Sequence, residues 1–388
     1  MLHFEKEISI LEQEHLLRSL LPIDSFSPTT IDQNGRRLLL FSSNDYLGLT
    51  THPALKSAGI EAIQKWGTGG GASRLISGNL RLYTELEQRL ARLKSTESAL
   101  VFPTGYTTNL GALGAFIQKT DLILSDRLNH ASLIDGARLS GGTFRVYRHK
   151  DTEQLRKLLS QRKSTQRSFI VTDGVFSMDG DIAPLPELAT LAEEFDALIY
   201  LDDAHGTGVL GPHGGGTCDH FQVSNRRIIQ MGTLSKALGG LGGFIAADRL
   251  SIQYLINKAR PFIFTTALPP SVVAVAIAAL DLIEQAPGIR QRLWKLANHF
   301  RYQAQQLGFN ICGSETPIIP ILIGKAETAL VFSQKLLGEG IYLPAIRPPT
   351  VPEEGSRLRV SIMAIHTEEQ IQTLLSGLEK IGKELRVI

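Results

Sequence analysis

Reactive side chains follow two of the short apolar runs in this sequence. The run 198–201 is followed by Asp202 and His205, and the run 228–231 is followed by Lys236. A lysine amine can form a Schiff base with an aldehyde, and a buried carboxylate can hold a proton on a nearby nitrogen. Taken alone, each residue also has an ordinary explanation: a helix cap or local ion pair for the aspartate, a hydrogen-bonded core histidine, and a surface lysine.

Other segments offer groups that bind phosphate. Gly105 and Tyr106 follow the run 99–102 at a predicted strand-to-helix turn, where free amide groups attract an anion, although a capped turn without a ligand explains them equally well. Thr233 and Ser235 add hydroxyl groups close to the lysine. Together, an amine, a carboxylate, a histidine and a phosphate cradle are what pyridoxal phosphate (PLP) requires, because its ring accepts electrons only while its nitrogen is protonated.

The elements that must position these groups alternate between strands and helices. Seven apolar runs are predicted as strands: 99–102, 122–125, 144–147, 169–172, 198–201, 228–231 and 244–247. The intervening helices are predicted at 83–94, 105–117, 151–162 and 186–195. This alternation predicts a mainly parallel sheet covered on both faces, with ligands at the carboxyl ends of its strands.

The two ends of the chain do not follow this alternation of strands and helices. A helix is predicted over 5–21, where leucines recur at helical spacing until Pro22. Beyond 261–270 the pattern predicts helices at 271–286, 288–306 and 367–384 and strands near 317–323 and 357–362. We therefore expect three parts: an N-terminal helix and arm (1–45), a large cofactor-binding domain (46–285) and a small C-terminal α+β domain (286–388).

Composition excludes several classes of protein. Forty Lys and Arg residues against 38 Asp and Glu residues leave no basic excess for nucleic acid. Cys218 and Cys312 stand far apart without a Cys/His cluster, so we expect no metal site, no disulfide framework and a reducing, cytoplasmic location. The most apolar stretch, 272–280, is too short for a membrane span, and the first ten residues lack a signal-peptide pattern.

Several longer segments resemble one enzyme family. The segment 232–240 (GTLSKALGG) resembles the PLP attachment motif of class II aminotransferase-like enzymes. The α-oxoamine synthase family is resembled at 43–48, 173–180, 202–208, 345–352 and 357–359. The resemblance extends from about residue 10 to about residue 380, and it implies a fold-type I PLP-dependent transferase: a mainly parallel seven-stranded sheet in a large domain with a smaller C-terminal α+β domain.

The resemblance also implies a role for each cofactor-binding residue. Lys236 would carry the cofactor as a Schiff base and move the proton at the substrate α-carbon, and Asp202 would pair with the pyridine nitrogen. His130 would stack on the ring and touch substrate. The remaining positions would surround the cofactor: His205 and Ser177 near the ring hydroxyl, Gly105 and Tyr106 at the cradle, and Thr233 beside the phosphate.

The implied reaction is a decarboxylative condensation of L-alanine with a pimeloyl thioester, carried on coenzyme A or on an acyl carrier protein, at the start of biotin ring assembly. Asn44 and Arg359 would bind the amino-acid carboxylate, since a guanidinium suits that group. Arg18 and Thr350 match substrate-contact positions, although a surface arginine and a turn residue explain them as well.

Members of the resembled family are homodimers with the site at the subunit interface. Thr265 and Thr266 could then reach the partner's phosphate, or they could belong to a solvated loop. Within the family, a glycine-using 2-amino-3-oxobutanoate ligase or a serine-using palmitoyl-type synthase remains an alternative. A catalytically silent regulatory subunit is disfavoured by Lys236. Dinucleotide binding and serine-hydrolase chemistry are not indicated, because no GxGxxG follows a strand and no GxSxG occurs.

Overall fold

The computed structural model describes residues 2–18, 20–163 and 165–388. These residues form two compact units. The large unit comprises Leu47–Ser177 and Ile182–Arg290, and the small unit comprises Met1–Tyr46, Met178–Asp181 and Gln291–Ile388. The domain limits predicted from the sequence stay a prediction.

A seven-stranded sheet forms the centre of the large unit. Its strands are β4 (Ser98–Phe102), β5 (Leu122–Asp126), β6 (Thr143–Tyr147), β7 (Ser168–Asp173), β8 (Leu198–Asp202), β9 (Ile228–Thr233) and β10 (Gly243–Ala247). Their order is β4-β10-β9-β8-β7-β5-β6, and only β10 runs antiparallel to its neighbours. The predicted mainly parallel seven-stranded sheet is therefore confirmed.

Burial on both faces explains why these strands are continuous apolar runs in the sequence. All six residues of β7 and all five of β5 are buried, because helices cover both faces of the sheet. One face packs Phe102, Leu113 and Phe262 into a core, and the other packs Leu155, Leu188 and Leu201.

The helices of the large unit lie between and beyond these strands. They are α2 (Pro53–Trp66), α3 (Arg81–Leu93), α4 (Gly105–Phe116), α5 (Ala131–Ser140), α6 (Thr152–Ser160), α7 (Leu185–Glu194), α8 (Thr217–Phe221), α9 (Arg249–Lys258), α10 (Arg260–Ile263) and α11 (Pro270–Gln285).

The small unit contains two short sheets. One has the order β1 (Ser25–Ser27), β2 (Thr30–Gln33), β3 (Arg36–Leu40) and β12 (Ile341–Tyr342); the other has the order β11 (Ile318–Gly324), β14 (Ser356–Ser361) and β13 (Ala345–Ile346). Its helices are α1 (Leu2–Gln13), α13 (Ala326–Gly338), α14 (Glu368–Glu384) and most of α12 (Pro287–Gln306), which begins in the large unit.

One expectation for the N-terminal segment was wrong. The helix predicted over 5–21 ends at Gln13, because His15 adopts a left-handed conformation with φ 57° that breaks the helix. The predicted arm contains a hairpin, in which Asn34 and Gly35, with φ 50° and 73°, make the two-residue turn between β2 and β3. The Asn-Gly pair is the sequence signal for such a turn.

No single helix in the described part of the chain is long and apolar enough to span a membrane. Helices α11 and α12 together have the length and composition of a span, but they are bent by 78° at the break between them.

Candidate active site

Three polar residues end neighbouring strands at the carboxyl edge of the large sheet. β7 ends at Asp173, β8 at Asp202 and β9 at Thr233. Asp173 and Asp202 are partners in the strand register, and the Gly174 amide donates a 2.7 Å hydrogen bond to the Asp202 carbonyl oxygen. Since parallel strands end at the same edge, these side chains lie at one surface of the sheet.

The Asp202 carboxylate is 3% exposed and is held by neutral donors. Its Oδ2 atom accepts a 2.7 Å hydrogen bond from the Asn109 side-chain amide, and Oδ1 accepts a 3.0 Å bond from the Ala204 backbone amide. Within the described residues, no basic nitrogen lies within 4 Å of this carboxylate. A buried carboxylate calls for a cationic partner, and a protonated ring nitrogen would supply one.

Lys236 is half-buried on the loop between β9 and β10, with its Nζ atom 2.9 Å from Nε2 of the buried His205. Thr233 shapes this loop: its hydroxyl donates a 2.8 Å hydrogen bond to the Gly242 carbonyl oxygen and accepts a 3.2 Å bond from the Ser235 amide. The loop therefore presents an amine beside an imidazole, which suits Schiff-base formation and proton exchange.

His130 directly precedes α5 and is exposed to solvent. Its backbone amide donates a 2.7 Å hydrogen bond to Asp173. Desolvation of the ring lowers the pKa of His130, while the negative charge of Asp202 opposes this shift and the positive charge of Lys236 adds to it. Because the charges of Asp202 and Lys236 both act on the His130 ring, the three residues form a single cluster.

Asp173 belongs to the same cluster and was not assigned a role from the sequence. Burial and the negative charge of Asp202 raise its pKa well above the ordinary value, although the hydrogen bond from His130 opposes the shift. The Asp173 amide in turn donates a 3.0 Å bond to Asn129. Asp173 therefore orients the segment that carries His130.

The amino end of α4 reaches the same edge. Gly105 begins the helix, and a Cβ atom there would lie 3.2 Å from Met231 Cε, so glycine allows this close approach to β9. Thr104 caps the helix, and the exposed Tyr106 hydrogen-bonds through its hydroxyl to Asp135. The amides of the first turn of α4 can donate to an anion.

These residues fit PLP. Asp202 has no cationic partner among the described residues, and the pyridinium nitrogen would provide one. Lys236 would offer an amine to the aldehyde, and α4 would offer amides to the phosphate. His205 is buried next to the amine, and Ser177 is half-buried in the loop after β7.

The small unit holds a second polar group around Arg359, which is 8% exposed. Its Nη1 atom donates hydrogen bonds to Asn44 Oδ1 at 3.0 Å and to Ser361 Oγ at 2.9 Å, and Nη2 donates to the Tyr46 hydroxyl at 3.2 Å. Burial raises the pKa of Tyr46, although the charge of Arg359 opposes the shift. The structure thus brings Asn44 and Arg359 together in a geometry that suits a carboxylate.

Arg18 and Thr350 also contact each other in the small unit. Arg18 lies beyond α1, not within it, and its Nη2 atom donates to the Thr350 hydroxyl at 3.5 Å and to the Pro348 carbonyl oxygen at 3.4 Å. Arg347 donates to the carbonyl oxygens of His15 and Leu17. Two arginines therefore tie the segment after α1 to the loop 347–350.

Sequence reasoning missed Asn109 and Ser132, both 1% exposed. Asn109 lies one helical turn after Gly105 in α4 and donates 2.7 and 2.8 Å hydrogen bonds to Asp202 and Ser132. One indication of Asn109 was present in the sequence: it lies four residues after Gly105, and this spacing places Gly105 and Asn109 on the same face of α4.

The chain matches the family described as aminotransferase class I and II over residues 36–378. It is 48% identical over 384 residues to the 8-amino-7-oxononanoate synthase of Geobacter sulfurreducens, covering 98% of both chains. It is 46% identical over 389 residues to the protein of the same name from Thermoanaerobacter pseudethanolicus, covering 100% of this chain and 98% of that one.

Solved structures of two similar enzymes have the same fold. Serine palmitoyltransferase from S. paucimobilis with a bound PLP–myriocin aldimine is 32% identical, with a TM-score of 0.94, over 100% of this chain and 98% of that chain. The 8-amino-7-oxononanoate synthase from Francisella tularensis is 30% identical, with a TM-score of 0.79, over 90% of this chain and 98% of that chain.

Proposed function

Because this chain belongs to the family of class I and II aminotransferases, and relatives 46–48% identical to it over their full length are 8-amino-7-oxononanoate synthases, we propose that it makes 8-amino-7-oxononanoate. The reaction condenses L-alanine with a pimeloyl thioester and releases carbon dioxide and the free thiol. The enzyme is a PLP-dependent acyltransferase of biotin biosynthesis.

The surroundings of Asp202 are the structural observation that best supports this function. Asp202 is a buried carboxylate with neutral donors, placed in one cluster with a lysine on a glycine-rich loop. PLP, when bound, supplies an electron sink for a carbanion at the α-carbon of the amino acid. Asp202 would keep a proton on the ring nitrogen, and Lys236 would hold the cofactor and move the proton at the α-carbon. His130 would contact the cofactor and the substrate.

The amino-acid carboxylate is bound by Arg359 and Asn44. The Arg359 guanidinium is oriented by Ser361 and Tyr46, so its planar fork is fixed before substrate arrives. Such a fork can hold a carboxylate through the first half of the reaction and release it as carbon dioxide departs.

Arg18 and Thr350 contact the acyl substrate. Their mutual hydrogen bond places a cation and a hydroxyl side by side on an exposed surface of the small unit, where a thioester carrier has access. Coenzyme A and an acyl carrier protein both remain candidates for the carrier.

The protein acts as a homodimer in the cytoplasm. The bridge between Ser73 and Thr266 brings two segments together that expose large apolar side chains, Ile76 at 81% and Phe264 at 70%. A second subunit would cover this surface and place Thr265 or Thr266 beside the partner's phosphate site. Light scattering tests the dimer, and Phe264→Asp should shift it toward monomer.

The reaction is tested by incubating PLP-loaded protein with an amino acid and a pimeloyl thioester and identifying the product by mass spectrometry. We expect 8-amino-7-oxononanoate from L-alanine, with either coenzyme A or acyl carrier protein as the carrier. After borohydride reduction, Lys236 of the native chain should carry the cofactor mass, and Lys236→Ala should carry none and make no product.

Two other outcomes would change the assignment. Product formed only with glycine and an acetyl donor, or only with L-serine and a palmitoyl donor, would identify another member of the family. Cofactor attached to Lys236 without turnover of any substrate pair would indicate a silent regulatory subunit and overturn the proposed activity.

A further inference from the structure

A chain of hydrogen bonds links Asp202 to His130 through two buried residues without an assigned role. Asn109 Nδ2 lies 2.7 Å from Asp202 Oδ2 and 2.8 Å from Ser132 Oγ. Ser132 Oγ lies 2.7 Å from His130 Nδ1. These four residues come from β8, α4, α5 and the residue that precedes α5.

The orientation of the Asn109 amide follows from its three partners. The Tyr200 hydroxyl lies 2.9 Å from Oδ1 and donates to it. Both protons of the Asn109 NH₂ group are then available, one for Asp202 and one for Ser132. The opposite orientation would place the amide oxygen against the Asp202 carboxylate, leaving two acceptors in contact inside the protein.

The position of the His130 proton follows in the same way. The backbone amide of Ser132, which can only donate, bonds to His130 Nδ1 at 3.3 Å, so Nδ1 is an acceptor. The Ser132 hydroxyl, 2.7 Å from the same nitrogen, is then the donor of that bond, while its oxygen accepts from Asn109. A nitrogen that accepts two hydrogen bonds carries no proton, so the proton of the neutral ring is on Nε2.

We propose that Asn109 and Ser132 are positioning residues that hold His130 in the Nε2–H tautomer and couple its orientation to that of Asp202. The ring then presents a donor, not an acceptor, to whatever binds against it. Asp202, Lys236 and Asp135 are the charged groups that act on this ring. The catalytic meaning of this tautomer rests on the proposed function, but the tautomer itself does not.

Histidine ¹⁵N–¹H NMR of the purified protein without substrate measures the tautomer directly. The chain has ten histidines, and His130→Gln identifies the resonances of His130 by their loss. We expect an unprotonated Nδ1 and a protonated Nε2 in the native chain. In Ser132→Ala, and in Asn109→Leu, a population with the proton on Nδ1 should appear.

Ser140→Ala is the matched control, because Ser140 lies in the same helix but bonds the Ala137 carbonyl oxygen instead of the chain of hydrogen bonds. It should leave the His130 resonances unchanged. Ser132→Ala should fold, because alanine is favourable in a helix. If Asn109→Leu does not fold, Asn109→Ser takes its place. A role in packing alone would lower stability without moving the proton.

Kinetics provide the second readout. Removing one hydrogen bond to a positioned ring should lower kcat on the order of tenfold while KM for L-alanine changes by less than about threefold. A protonated Nδ1 in the native chain, or an unchanged tautomer in both Ser132→Ala and Asn109→Leu, would overturn the inference. An Nε2–H tautomer in a protein that makes no product would instead overturn the proposed function alone.

Discussion

Lys94 and Asp203 form an ion pair inside the large unit, with 2.6 Å between Nζ and Oδ2 and no exposed side-chain surface on either residue. Asp203 also accepts a 2.6 Å hydrogen bond from the Thr217 hydroxyl, and its backbone amide donates to the Met231 carbonyl oxygen at 2.8 Å. Since Asp203 follows Asp202 directly, this pair anchors the backbone that carries Asp202.

Replacement of Lys94 by methionine should therefore destabilise the protein strongly. The substitution leaves the Asp203 carboxylate buried without its cation, which costs roughly 3–5 kcal/mol in comparable cases. Urea unfolding measures the change, with Lys56→Met, an exposed lysine on α2, as the control. A loss below about 1 kcal/mol would mean that the pair does not anchor this segment.

Asp202→Asn should retain the cofactor on Lys236 but lose most of the activity. Asparagine can still accept the Ala204 hydrogen bond, yet it does not stabilise a proton on the ring nitrogen. We expect kcat to fall on the order of 100-fold or more, measured as product formed per cofactor bound. Asp196→Asn, at an exposed ion pair with Arg227, should leave kcat unchanged. Equal rates in both variants would exclude Asp202 as the pyridinium partner.

Arg359→Lys should weaken amino-acid binding more than it slows the chemistry. Lysine keeps the charge but loses the planar fork that Asn44 and Tyr46 orient, so KM for L-alanine should rise roughly tenfold or more. Steady-state kinetics at saturating thioester measure this, and the exposed Arg37→Lys is the comparison. An unaltered KM would place carboxylate binding elsewhere.

Stability should decrease as the pH falls below neutral, and His366 should contribute to the loss. Burial lowers its pKa to about 4, while its Nδ1 accepts from the Met363 amide at 3.0 Å and Nε2 lies 3.0 Å from the Leu40 carbonyl oxygen. An unfolded histidine titrates near 6.5, so between these values the unfolded chain binds a proton that the folded chain excludes.

The stabilisation from neutral His366 is therefore complete above about pH 6.5 and is lost as the pH falls toward 4. At pH 5 the loss should be about 2 kcal/mol. Urea unfolding of the native chain and of His366→Gln at pH 7 and pH 5 tests this. The variant should lose less stability between the two pH values, and an identical loss would contradict the assignment.

The strands of the large sheet could be predicted because burial on both faces leaves continuous apolar runs, as in β7 and β8. Their spatial order could not. β10 lies between β4 and β9 and runs antiparallel to both, and this choice depends on how the helices pack, not on the run itself. In the small unit, the turn at Asn34 and Gly35 had a readable signal, while the left-handed His15 that ends α1 had none.

The sequence by itself determined which reactive groups we propose for this protein. Lys236 in its glycine-rich segment, Asp202 and His205 after one apolar run, and Gly105 at a strand-to-helix turn indicated PLP, because that chemistry needs these residue types at strand ends.

Only the tertiary structure decided what supports those groups. Asn109 meets Ser132 and Asp202 across 23 and 93 positions of the chain, and Lys94 meets Asp203 across 109. Hydrogen bonds and ion pairs between such distant residues leave no local pattern, because the partner of a buried polar side chain is set by which helices and strands pack together.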